Sequence, residues 1–389
     1  MSHERQSVDE SIAPAVLCRE AFAEAEDSML DTIDAASEFF RDIASRVAGG
    51  VYGNVVITGE GSSYTAALMC EAALKQSLPV PTEIILTTEL AFWPHLLNET
   101  TLVVVLSRTG ERKFIVDAIR ETRLTGAHVV VLTGNPEARL NDLADEALLT
   151  REGAEPGFLK SKSTLAGVAA FLTFAASFEQ TVRSRSAGLE MDHVRRVASC
   201  VGEGFRLMAE TDLTWLTEAR SVEHWAVLAG GYGYGAAADG ALKLHEITTA
   251  PATPYHLTSL YHGPLGQFSD DWAALVLATE GTLSWADLVA SELGKRGAKP
   301  VVCVGGPSAC STSGATALQI PALFEPNRPV APLLAEALSP ATFLPATYSI
   351  TLELALIRGF NPDAPPNMEY MLNLILPEGQ AEPDFVSKN

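Results

Sequence analysis

The apolar positions of this chain follow two grammars. Between residues 22 and 43 they recur at helical spacing, with Phe22, Met29, Leu30, Ile33, Ala36, Phe39, Phe40 and Ile43 on one stripe. Gly49-Gly50 then stops the run, so residues 1–50 read as a helical segment. From Val55 short β-branched runs alternate with helical stretches: VVIT ending at Gly59, LVVVLS at Ser107 and HVVVLTG at Gly134. The same grammar returns as WAVLAG ending at Gly230, ALVLAT at Thr279 and PVVCVGG near Gly305. Continuous apolar runs of this length predict strands covered on both faces, joined in parallel by helical crossovers. The separation of Gly59 from Gly134 equals that of Gly230 from Gly305, an internal repeat offset by about 171 residues. Two α/β subdomains of one fold follow. Their expected limits are 51–185 and 221–360, with a helical connection over 186–220 marked by Gly188 and DHVRR, and a tail over 361–389.

Open parallel sheets bind ligands beyond the carboxyl ends of their strands, where the strand order reverses. The loops there are therefore the informative ones. In the first half they are GEGSSYT (Gly59–Thr65) and SRTGER (Ser107–Arg112). Glycines admit a ligand close to the backbone, following helix N-termini offer N–H groups, and hydroxyls add donors, which together make a phosphate cradle. Ser and Thr are also ordinary N-caps; two such loops at neighbouring strand ends favour the cradle. The second half has GGYGYG (Gly230–Gly235) and TEGT (Thr279–Thr282), which lack the hydroxyl cluster and include Glu280. The expected division gives the anion to the first half and the catalytic helix to the second.

That helix lies in DGALKLHEITTAPATPYHLTSLYHGPLGQFSD, Asp239–Asp270. Asp239, Lys243 and Glu246, four and three apart, share one helical face. The helix should end near Thr249, because Pro251 and Pro254 forbid continuation. A loop should then carry His256 and His262, the latter in the tripeptide His262-Gly263-Pro264. One carboxylate and one imidazole are the groups needed to open a ring and move a proton between adjacent carbons. On spacing alone, Asp239–Lys243 is equally an ordinary surface ion pair.

Composition narrows the partners. A length of 389 residues suits two domains, and a formal charge of −21 argues against a nucleic acid or an anionic membrane. An anionic substrate would need a locally positive site. The five cysteines (Cys18, Cys70, Cys200, Cys303, Cys310) show no CxxC spacing, and Cys70 and Cys303 read as buried free thiols. The N-terminus MSHERQSVDES lacks a signal-peptide core, and no apolar run reaches membrane-spanning length. A cytoplasmic protein is expected.

ALKLHEI followed by YHGPLGQFSD resembles the ALKLKEI and KHGPLALID segments of the sugar isomerase (SIS) domains. These include the isomerase half of glucosamine-6-phosphate synthase and the tagatose/galactosamine-6-phosphate isomerase-deaminases. The resemblance extends over most of the chain. It implies two flavodoxin-like SIS subdomains in tandem, with Glu246 as the base that moves a proton between carbons 1 and 2, His262 opening the ring and Lys243 assisting. It further implies a substrate phosphate held by Gly61, Ser62, Ser63, Ser107, Arg108 and Thr109. EPGFLKSKSTLAG (Glu155–Gly167) resembles a family turn, which adds Ser161 and Lys162. A homodimer is implied, in which the HGP histidine often reaches the neighbouring subunit's site.

Two positions depart from the family. Arg112 replaces the usual Ser or Thr of the phosphate loop, although a guanidinium also holds an oxyanion. Tyr370 stands where the synthases carry an imine-forming lysine, and no glutaminase half is expected ahead of the domain. The expected activity is a phosphosugar aldose–ketose isomerase or deaminase acting on an amino-hexose 6-phosphate. A deglycase of an Amadori-type amino-sugar phosphate and a non-catalytic sugar-phosphate sensor are the alternatives. No cofactor or metal is expected, because His245, His256 and His262 lack a ligand spacing. Gly231–Ala236 fits the dinucleotide pattern G-x-G-x-x-A, but the following TTAPATPYH segment reads as a loop without an acidic strand end.

Overall fold

The computed structural model describes residues 12–178, 188–306, 315–324 and 330–366. In chain order the first half comprises α1 (Val16–Ala23), α2 (Ala25–Ala48), β1 (Asn54–Gly59), α3 (Ser62–Ser77), β2 (Thr82–Leu86), α4 (Thr87–Leu90), β3 (Thr101–Leu106), α5 (Lys113–Leu124), β4 (His128–Thr133), β5 (Glu146–Leu149) and α6 (Ser161–Ser177). The second comprises α7 (Met191–Glu210), β6 (His224–Ala229), α8 (Tyr234–Thr248), β7 (Ala252–His256), β8 (Trp272–Ala278), α9 (Leu283–Lys295), β9 (Val301–Gly305), β10 (Thr316–Gln319), α10 (Pro332–Leu338) and α11 (Leu344–Ile357).

Both sheets are five-stranded and parallel, in the orders β2-β1-β3-β4-β5 and β10-β9-β8-β6-β7. Read from the first strand of each, the two orders are one pattern, the flavodoxin-like 2-1-3-4-5. The tandem repeat seen in the sequence is thus a repeat of topology. The six runs picked out by their apolar character are the inner strands β1, β3, β4, β6, β8 and β9. Each carries side chains buried on both faces, and β3 and β8 are buried along their whole length.

By contact density the chain forms two units. One holds the first sheet, with Asp27–Gly153 and Ser163–Arg196. The other holds the second sheet, with the described residues up to Glu26, Ala154–Lys162 and the described residues from Val197 onward. In the first, Val103, Val105, Val129 and Val131 pack against Ile115, Val116 and Ile119 of α5. In the second, Leu228, Val276 and Cys303 pack against Val289 and Leu293 of α9, while α8 lies on β6 and β7 and is itself covered by α11. Segment 154–162 therefore belongs with the catalytic-helix candidates, although it follows the first sheet in sequence.

Two expectations are corrected. The TTAPATPYH segment is not a loop: residues 252–256 form β7, paired in parallel with β6 through Pro254 opposite Val227. An edge strand tolerates proline because one side of its backbone has no ladder to complete. The strand ends at His256, not at an acidic residue. Cys303 is disulfide-bonded, so it is not the expected free thiol. Spacing in sequence does not disclose which thiols a fold brings together. Cys18, Cys70 and Cys200 are buried and free. Among the described residues no helix is long and apolar enough to cross a membrane.

Candidate active site

The first sheet's switch point lies between β1 and β3, which pair with Thr58 opposite Val105. After β1 the chain turns through Gly61, whose φ of 54° and ψ of −127° are closed to most L side chains. Ser62 opens α3 immediately, and no side chain caps its first turn. Ser62 and Ser63 are half-buried there. Glu60 faces another way: its Oε1 accepts the Thr88 N–H at 2.8 Å and the Thr88 hydroxyl at 2.7 Å.

The loop after β3 is clasped by the loop after β4. The Ser107 Oγ, 5 % exposed, accepts the Gly110 N–H at 3.3 Å. The Arg108 carbonyl accepts the Gly134 N–H and the Thr133 hydroxyl, and Asn135 Nδ2 donates to the Thr109 carbonyl at 3.0 Å. Glu111 Oε1 takes the Arg139 N–H at 3.0 Å. Gly110 has φ 63°, and a Cβ there would lie 2.4 Å from Ala138 Cβ, so only glycine lets the two loops close. Arg108 and Arg112 are half-buried, with Arg112 at the N-cap of α5. This half thus brings hydroxyls, two guanidinium groups and two helix N-termini to adjoining strand ends, an arrangement suited to an anion.

At the matching place in the second sheet, the Gly281 N–H is already taken by Glu336 Oε1 at 2.8 Å. Chemistry there resides on α8 instead. Asp239 is fully buried and accepts the Tyr348 hydroxyl of α11 at 2.7 Å. Lys243, 1 % exposed, donates to Glu246 Oε2 at 3.0 Å. Burial alone would lower the Lys243 pKa. The carboxylates of Glu246, Asp239 and Glu155 outweigh it and hold the ammonium above its usual value. The Glu246 carboxylate keeps 23 % of its side-chain surface exposed. A carboxylate anchored from behind and open in front is what a proton carrier requires. Asp239 and Lys243, which the spacing equally allowed as a surface pair, are thus both buried, and Lys243 pairs with Glu246.

Segment 154–162 adds a second charged knot in the same unit. Glu155, itself buried, accepts the Lys162 N–H at 2.6 Å and the Ser161 hydroxyl at 3.4 Å at the start of α6. Lys162 Nζ donates to Glu24 Oε2 at 2.5 Å and to the Ala154 carbonyl at 2.9 Å. Ser161 and Lys162 are thus engaged by protein groups. His262 is exposed, at the end of the 3₁₀ turn Leu257–His262. His256 stacks on Tyr234, with ring centroids 4.2 Å apart. Tyr370 lies outside the described residues. Sequence reasoning missed Tyr348 and Glu155. A single aromatic in the apolar run LPATYSITLELALI, carrying a polar tip that needs a partner when buried, was the signal for the first, and nothing marked the second.

Hydroxyl-lined loops at the switch point of one flavodoxin-like sheet, with a buried lysine–carboxylate helix on a second, define a two-sheet α/β protein equipped for a small anionic ligand. Residues 52–179 match the SIS domain family. It is 26% identical over 321 residues to the glutamine–fructose-6-phosphate aminotransferase (isomerizing) of Gloeobacter violaceus, a match covering 81% of this chain and 51% of that protein. The chain spans about half the length of the curated relatives it matches. In structure it resembles the C-terminal domain of the glucosamine-fructose-6-phosphate aminotransferase of Francisella tularensis, with a TM-score of 0.75 at 18% identity, covering 90% of this chain and 98% of that one. It also resembles the tagatose-6-phosphate ketose/aldose isomerase of Escherichia coli, with a TM-score of 0.71 at 18% identity, covering 91% and 98%.

Proposed function

We propose that this chain is a phosphosugar aldose–ketose isomerase or deaminase acting on an amino-hexose 6-phosphate, and that it works as a homodimer. The observation that carries this reading is the partly exposed Glu246 carboxylate, fixed by the buried Lys243. The phosphate is assigned to Gly61, Ser62, Ser63, Ser107 and Thr109, with Arg108 and Arg112 supplying charge. His262 moves the proton that opens the ring. Glu246 removes the proton from carbon 2 of the open-chain aldose, giving an enolamine, and returns it to carbon 1. With nitrogen on carbon 2 the product is an imine; addition of water then releases ammonia and leaves the ketose phosphate. Lys243, buried behind Glu246, tunes its carboxylate. Ser161 and Lys162 are assigned to shaping the rim, since their polar groups serve Glu155 and Glu24. A cytoplasmic location agrees with such a role.

The reading is tested with Glu246→Gln, which keeps the shape and removes the base. Turnover and solvent-deuterium exchange at carbon 2 are expected to fall roughly a hundredfold or more while substrate still binds. Wild-type turnover in this variant would refute the assignment. A panel of hexosamine phosphates and Amadori-type sugar phosphates, with ammonia and ketose as readouts, distinguishes isomerase, deaminase and deglycase.

A further inference from the structure

A cavity of about 510 Å³ opens in the second-sheet unit, away from every residue given a role above. Its walls come from three places: the entry to β6 (Arg220, Glu223, His224), the exit from α8 (Thr249) and the end of α11 (Arg358, Phe360). Two of these side chains are arginines, in a chain of net charge −21.

Arg358 is held rigidly. Its Nη1 donates to the Thr248 carbonyl at 3.3 Å and its Nη2 to the Val222 carbonyl at 2.6 Å. Its Nε is buried without a hydrogen-bond partner. Burial pushes the Arg358 pKa below its usual value, and no carboxylate among the described residues acts to restore it. The guanidinium nevertheless stays charged at neutral pH. Arg220 is exposed on the same cavity and makes no ion pair among the described residues. A partly desolvated cation without a counter-charge is costly, and proteins ordinarily pair such groups. Arg220, exposed on the same cavity, offers an anion a second guanidinium beside that of Arg358. Glu223, exposed on the rim and also unpaired among the described residues, can accept from a hydroxyl or an amine at the ligand's other end.

We infer that this cavity is a binding site for a small phosphate ester, gripped by Arg220 and Arg358 and distinct from the loops at Ser62 and Ser107. Thr249, which lines the cavity, ends α8 in the left-handed region at φ 55°. A ligand there braces the last turn of the helix that carries Glu246.

Hydrogen-exchange mass spectrometry on the full chain tests the inference, with inorganic phosphate as the probe and wild type compared with Arg220→Ala and Arg358→Lys. Arg220→Ala alters an exposed side chain, and Arg358→Lys keeps the charge, so both variants are expected to fold. Phosphate is expected to slow exchange in wild-type peptides covering 220–224 and 249–251, with the midpoint concentration raised at least fivefold in each variant. Absence of protection there, or protection unchanged in both variants, would overturn the site. Peptides covering 59–65 and 107–112 report separately on the loops of the proposed function, so either assignment can fail alone.

Discussion

Lys243 is the buried cation of α8. Its ammonium lies among Glu246, Asp239 and Glu155, and the order of effects decides its state: burial disfavours the charge, three carboxylates favour it, and the carboxylates win. Because the folded pKa is raised, this contribution to stability is complete below the unfolded value near 10.5 and is lost as pH rises through the folded one. Lys243→Met should therefore remove part of the alkaline limb of the stability profile. It should also cost about 3–5 kcal/mol near neutral pH, because Asp239 is left buried without its cation. Urea titrations from pH 7 to 11 measure both; an unchanged alkaline limb would mean that the carboxylates do not hold this lysine. Tyr348→Phe removes the hydrogen bond that the Tyr348 hydroxyl donates to Asp239 Oδ2 and should cost about 1–3 kcal/mol. Turnover should fall as well if Asp239 positions Lys243, whereas a purely structural tyrosine would lower stability and leave kcat alone. Spacing put Asp239, Lys243 and Glu246 on one face. Their burial was illegible because the covering tyrosine lies 109 residues beyond Asp239.

Secondary-structure elements were legible in proportion to how deeply they are buried. All six inner strands announced themselves as apolar runs, since a strand covered on both faces has no polar positions to spare. The four missed strands, β2, β5, β7 and β10, are the sheet edges. Each is short and has at most one buried position, none in ATPYH and one in TALQ, so neither a run nor a clean alternation survives. Loops fared the other way: Gly61, Ser62 and Ser107 were readable by type, but the clasp of residues 107–112 by 133–140 was not. That clasp makes Gly110 a test of the anion site. Gly110→Ala forces a Cβ against Ala138 and a side chain into positive φ. It should cost about 1–3 kcal/mol in urea unfolding. Phosphate affinity of the full chain should weaken about tenfold, as the hydroxyl and guanidinium groups of the loop lose their register. A destabilised variant that still protects residues 107–112 with wild-type affinity would move the anion elsewhere.

At the scale of the molecule, the role proposed for His262 depends on what covers it. It stands exposed at the end of its turn, beside Tyr261 at 44% exposure. Tyr261 in turn meets Trp285, 48% exposed, edge to face at 6.2 Å. Large aromatic side chains left in water next to a candidate catalytic group are what a subunit contact covers. If His262 serves the partner subunit's site, Glu246→Gln and His262→Ala are complementary lesions. Each homodimer is inactive, but a mixed dimer contains one site with both defects and one with neither. Random reassortment of equal amounts makes half the dimers mixed, so activity should recover to about a quarter of wild type after joint unfolding and refolding. Recovery should follow the fraction of mixed dimers, measured by native mass spectrometry of differently tagged chains. A mixture that stays at the level of its parents, with mixed dimers present, would place His262 in its own chain's site. A fully active species of single-chain mass would remove the dimer from the mechanism altogether.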